Sequence, residues 1–246
     1  MEEIELLETI SGGLKMNWLV ILVVFVLCVY AFNGRRRGFI RTVFTLFSTI
    51  IALMITSWIS PIISKEVQKN ETVMNMVNEK VEKVIDFSDL GSKLSDQVNF
   101  VDKLSLPKIM KKGLLENNTK DVYVAMAVDN FHDYVCNYIS RIIINAGVYI
   151  IIMIIVSIAL AVISETLNII SKLPIINGLN RSLGLLAGLL HGFIIVWVGF
   201  IFITVLGSTA FGQYLFGQIN NSTILSVIYN NNLLLTFITN LGELLF

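Results

Sequence analysis

The sequence predicts an all-α polytopic membrane protein: four transmembrane helices, an outside helical connection in the middle, and a C-terminal amphipathic helix. Three observations predict it. Of 246 residues, 55% are hydrophobic and only 15% charged, and the mean hydropathy of +0.75 lies outside the range of a water-soluble domain. Four apolar runs without acidic residues, at 17–32, 39–63, 142–163 and 183–207, are long enough for a hydrocarbon core of roughly 30 Å. The 18 basic and 18 acidic residues cancel in sum but segregate along the chain, most of them falling between the second and third runs.

Residues 1–16 form an acidic N-terminal segment with Glu2, Glu3, Glu5 and Glu8. A secretory signal would carry basic residues before its apolar core, so this reversed charge order predicts a first run that is retained. Residues 17–63 are then the first helix pair. Long unbroken apolar runs favour helices over membrane strands, which alternate apolar and polar positions.

Orientation follows from basic residues in short flanks. Arg35, Arg36, Arg37 and Arg41 follow the first span, and Lys172 and Arg181 lie between the third and fourth, whereas only Lys15 precedes the first. Those two connections are predicted to be cytoplasmic, with both termini and the central connection outside. Moving an arginine to the bilayer centre costs about 3 kcal/mol, so the triplet resists inversion.

The connection, residues 64–141, is water-facing on its charge. Val73, Val77, Val81, Val84 and Ile85 recur at helical spacing, and a second periodic run over 122–139 leads towards the third span. Breaks are expected at 86–91 and at Leu106-Pro107. The few large apolar side chains predict a small helical layer, not an independent domain. Residues 142–207 are the second helix pair. In the outside tail, 208–246, Leu234, Phe237, Ile238, Leu241 and Leu245 share a face that suits the membrane surface or the end of the bundle.

In the fourth span Gly184, Gly188 and Gly192 repeat every four residues, with Gly199 seven further on. Such a stripe lets another helix backbone approach closely, a packing device in lipid. The second span, with Arg41, Thr45, Ser48, Ala52 and Thr56 on one face, is the expected partner, and the stripe is also a candidate for self-association into a homo-oligomer. His191 lies about 12 Å inside the fourth span at the helical rise per residue. It is either a neutral imidazole bonded to a neighbouring helix or a proton-responsive group, with Glu165 and Arg181 as candidate partners.

Catalytic, cofactor and metal chemistry finds no support. His132 has no Cys or His at zinc-site spacing, no phosphate-binding glycine loop is present, and no nucleophile–base pair stands out. Cys28 and Cys136 sit at different predicted depths, which predicts no disulfide between them. The short basic cluster at the membrane surface suits anionic lipid, not nucleic acid.

Two blocks resemble a known family. Gly34-Arg35-Arg36-Arg37-Gly38-Phe39-Ile40-Arg41 resembles the "G-x-R-R-G-F-I-R" turn of the colicin V production protein (CvpA) family, and residues 179–192, opening Leu179-Asn180-Arg181-Ser182, resemble its second recurrent block. The resemblance implies a bacterial inner-membrane protein of four helices without enzymatic activity. It would be linked to toxin production or export and to envelope homeostasis, with other membrane or export proteins as possible partners. The acidic start, a long connection and His191, where the family often carries a basic residue, depart from the pattern. A small channel or transporter subunit with its path along the glycine-rich fourth helix, and a sensor or scaffold acting through the connection, are the competing expectations.

Overall fold

A computed structural model describes residues 17–91, 93–166, 179–236 and 238, without the side chains of 164–166 and 179. Residues 1–16, Lys172 and, in the tail, Phe237, Leu241 and Leu245 lie outside the described residues. Among those described the structure is helical throughout, with no strand. Four helices are long and apolar enough to cross a membrane: α1 (Trp18–Arg37), α2 (Phe39–Gln68), most of α7 (Phe131–Thr166) and α8 (Leu179–Val205).

The first span begins and ends for a local reason. Asn17 opens α1 by accepting from the Leu19 N–H at 3.1 Å. Three arginines fill its last turn, where cations meet exposed carbonyls. Gly38, at φ +83° and ψ 164°, separates α1 from α2 with a backbone that side chains disfavour. Helix α8 is central, packing on α1, α2 and α7, while α2 also packs on α7.

Short amphipathic helices cover the bundle end opposite the arginines: α3 (Glu71–Val84), α4 (Leu94–Lys103), α5 (Lys108–Glu116) and α6 (Lys120–Met126). After α8 come a 3₁₀ turn (Leu206–Ser208), α9 (Ala210–Asn220) and α10 (Thr223–Asn230). The layer buries more than its own sequence suggests. Met110 and Leu114 of α5 share a core with Tyr134 of α7, Phe200 of α8, Phe216 of α9 and Tyr229 of α10. Large side chains from the span end and from the tail join Phe100, Met110 and Leu114 of the layer, so layer and bundle share one core.

The boundaries differ from the periodic pattern in one place. The run at 122–139 is broken at Ala127, which adopts φ 52° and ψ 48° and closes α6. Asn130 then starts α7 by accepting from the Asp133 N–H at 2.8 Å. The third span's helix thus begins at Phe131, three turns before its purely apolar run. Nearby, Asp86 accepts from the Ser88 N–H at 3.0 Å, which holds its carboxyl below the usual range. That contribution is present at neutral pH and fades as pH falls through the lowered value.

Hydroxyl groups where the tail meets the fourth span are bonded. The Thr204 and Tyr229 hydroxyls lie 2.7 Å apart, and Thr204 donates to the Phe200 carbonyl at 3.0 Å. Tyr229→Phe is expected to lower stability by about 1 kcal/mol, read from the thermal midpoint of the purified protein. An unchanged midpoint would remove this bond from the account of how the tail is held.

Candidate functional site

The two sequence blocks, about 140 residues apart, meet at one place. Helix α2 has no capping side chain of its own, because Gly38 occupies that position. Asn180, at the start of α8, supplies the cap: its Oδ1 accepts from the Phe39 N–H at 2.7 Å and from the Ile40 N–H at 3.4 Å. A Cβ on Gly38 would stand 2.5 Å from Asn180 Nδ2. Gly38 is therefore required twice, by its positive φ and by the amide packed against it. Thr42 fastens the turn from within α2, its hydroxyl donating to the Gly38 carbonyl at 2.8 Å.

Immediately beside this cap, α1 and α8 cross backbone against backbone. A Cβ on Gly34 would collide with the Gly184 carbonyl oxygen and stand 2.8 Å from Gly188 Cα. One on Gly188 would collide with the Tyr30 carbonyl oxygen, and one on Gly192 would meet Tyr30 Cβ at 3.1 Å and Leu27 Cδ2 at 3.3 Å. The stripe's partner is thus α1, not α2 as its spacing suggested. Helix α1 offers Gly34 on the matching face, whereas the hydroxyl face of α2 carries Cβ atoms that hold another backbone away. Gly199 does not belong to this contact at all, since a Cβ there would have no neighbour within 4 Å.

This contact also bears on the two alternatives raised by the stripe. Gly184, Gly188 and Gly192 are buried against α1 of the same chain, so that surface is already occupied when a second copy approaches. For the same reason it borders no open path.

His191 is buried between three spans, at 7% exposure. Its Nε2 lies 3.1 Å from Thr49 Oγ1 of α2, and the edge of its ring meets the Tyr30 ring of α1 at 4.9 Å and 71°. The Thr49 hydroxyl already donates to the Thr45 carbonyl at 3.1 Å. With its single proton used there, it accepts from His191 Nε2–H, which makes His191 a cross-link among α1, α2 and α8. Thr49→Val is expected to lower stability by about 1 kcal/mol, a shift that thermal unfolding in detergent measures. Arg181 is exposed at the start of α8, ten residues before His191, and the Glu165 side chain lies outside the described residues. Arg181 is not brought to His191.

The arginines of the first block are placed differently. Arg35, Arg36 and Arg37 are exposed, with the Arg36 guanidinium 5.8 Å from the centre of the Phe32 ring. Arg41 is half-buried, and its Nε has no hydrogen-bond partner among the described residues. The described residues hold no cluster of three or more potential metal ligands, and Cys28 and Cys136 are both free thiols. Sequence reading missed Tyr30 and Thr49, which hold His191; the signal available for Thr49 was its place four residues after Thr45 in α2.

The arrangement can therefore do one thing plainly: lock the arginine end of three spans into a fixed geometry through a borrowed cap, a glycine crossing and a histidine bond. No curated protein and no solved structure matches the chain. Residues 122–232, which include the second block but not the first, match the sequence model of a family described as Colicin V production protein, and the family so identified is the one that both clasped blocks resemble.

Proposed function

We propose that this chain is a non-enzymatic bacterial membrane protein of the CvpA type that supports toxin production or export and envelope homeostasis. The family match over residues 122–232 carries this reading. The clasp supports it, because the match begins after the block at 34–41 and the Asn180 cap joins that block to the matched region. The bilayer is the bacterial inner membrane, with the arginine end cytoplasmic and both termini outside, in keeping with Arg35, Arg36 and Arg37 on short flanks. Copies associate through faces other than the buried glycine stripe, and export proteins are the expected partners.

The test is complementation. In a strain deleted for the gene, the wild-type chain is expected to restore toxin release and growth under envelope stress. A Gly38→Ala, Asn180→Ala double variant of equal abundance is expected to restore little of either. Full complementation by that variant would separate the clasp from function, and absence of any deletion phenotype would overturn the reading.

A second reading, a channel or transporter subunit, is favoured by a different seam. Thr56, Ser60 and Ser64 of α2 are each at most 2% exposed, and Thr56 Oγ1 has no hydrogen-bond partner among the described residues. Cysteines at Thr56 and Ser60 that react with a membrane-impermeant thiol reagent would support a wet path there. Uniform protection would remove it. A sensor or scaffold acting through the connection predicts loss of function without loss of insertion when α4 and α5 are deleted.

A further inference from the structure

Gly199 was singled out with the packing glycines, yet it packs on nothing. It lies in a groove of about 350 Å³ between the half of α1 remote from the arginines and the second half of α8, closed at one end by α9. Trp18, Leu22 and Val26 form one wall, Gly199 and Phe202 the other, and Phe211 stands at the end. All lining side chains are apolar save the indole N–H of Trp18, which donates to the Tyr214 hydroxyl at 3.3 Å.

We propose that this groove is a binding site for one acyl chain of a phospholipid whose headgroup carries no net charge. Three features of the molecule select that occupant. The groove opens on the sides of two spans, at a depth where lipid chains are the surrounding medium. It is small: a helix with its side chains is roughly 10–12 Å across, too bulky for a volume of about 350 Å³, whereas an extended hydrocarbon chain is slender enough. Its length along α1, from Leu19 to Val26, spans about 10 Å at the helical rise, parallel to the direction in which lipid chains lie.

The headgroup assignment comes from charge. No Asp, Glu, Lys or Arg occurs among the described residues that line the groove, and none at Asn17, Tyr214 or Gln218 beside it. The mouth instead holds Asn17, whose Nδ2 donates to the Gln218 carbonyl at 2.5 Å, together with Trp18 and Tyr214. Aromatic side chains with polar tips mark the level of the headgroups. An anionic headgroup would find no cation among these described residues, so a zwitterionic one is preferred.

The absence of a side chain at Gly199 makes the groove. Leucine at that position would project into it, since no atom lies within 4 Å of the added Cβ. Phenylalanine at Val26 would fill it from the opposite wall.

The experiment uses the full chain in vesicles of phosphatidylcholine containing a tracer phosphatidylcholine with a photoactivatable acyl chain, and maps adducts by mass spectrometry. Adducts are expected at Leu22, Val26 and Phe202 at least fivefold above those at Met54 and Trp58, which face outward on α2. Gly199→Leu and, independently, Val26→Phe are expected to remove that excess while leaving the α2 adducts unchanged. Replacing part of the matrix by an anionic phosphatidylglycerol tracer is expected to give no greater labelling. The proposal is overturned by labelling equal to that of α2, by an excess that survives both variants, by preference for the anionic tracer, or by adducts showing a second copy of the chain in the groove.

Discussion

Gly188→Leu is expected to lower stability by about 3 kcal/mol, at the upper end for overpacked sites, and to deplete the protein from membranes. The reason is geometric. At Gly188 the atom met by an added Cβ is the Tyr30 carbonyl oxygen, with Gly34 Cα at 3.0 Å, so no flexible side chain can yield. Relief requires α1 to move away from α8, which also pulls Gly38 from Asn180. The comparison that isolates the cause is Gly199→Ala on the same helix. Nothing opposes that methyl group, and alanine is the better helix former by up to about 1 kcal/mol, so this variant should be neutral or slightly stabilising. Thermal midpoints of both in one detergent measure the difference; equal effects would contradict the α1–α8 crossing.

The second large effect is expected at the borrowed cap. Asn180→Ala removes the acceptor for two N–H groups at the start of α2 and should cost about 1–2 kcal/mol, as other cap losses do. Gly38→Ala should cost more, on the order of 2–3 kcal/mol, because φ +83° with ψ 164° is a glycine region and the new methyl group meets the Asn180 amide. The two changes share one contact and should not add. With Asn180 shortened the clash is gone, so the double variant should lose about 1 kcal/mol less than the sum. Additive losses would mean that the two residues act apart.

Much of this fold could be read from residue order. Length and hydropathy alone place the four spans, because a bilayer of fixed thickness demands long apolar runs. The start of α7 was less visible, since its first three turns carry His132, Asp133, Asn137 and Arg141 and resemble a surface helix. Those residues stand in the layer that the tail helps to cover. The glycine repeat announced close packing without naming a partner. Spacing along one helix says which face is smooth, but only the matching Gly34 on α1 decides what fits there.

The candidate site was legible as two separate blocks and illegible as one. Asn180 bears no local mark of a capping residue for α2, because the helix it caps begins 141 residues earlier. Gly38 was visible as part of a motif, yet its necessity comes from a dihedral angle that spacing does not encode. The basic triplet, by contrast, is exposed in the last turn of α1, where the end of a span already accounts for charge.

The central claim is that the fourth span's glycine face is filled by the first span of the same chain. It is tested most directly with Leu27→Cys and Gly192→Cys in a chain whose Cys28 and Cys136 are replaced by alanine, with a protease site inserted at residues 86–91. An added Cβ at Gly192 lies 3.4 Å from Leu27 Cα, close enough for a disulfide between the two positions. After oxidation in membranes and cleavage of the connection, the account predicts that the two halves of one chain stay joined until a reductant is added. Halves that separate without reductant, with disulfides found only between different chains, would contradict it.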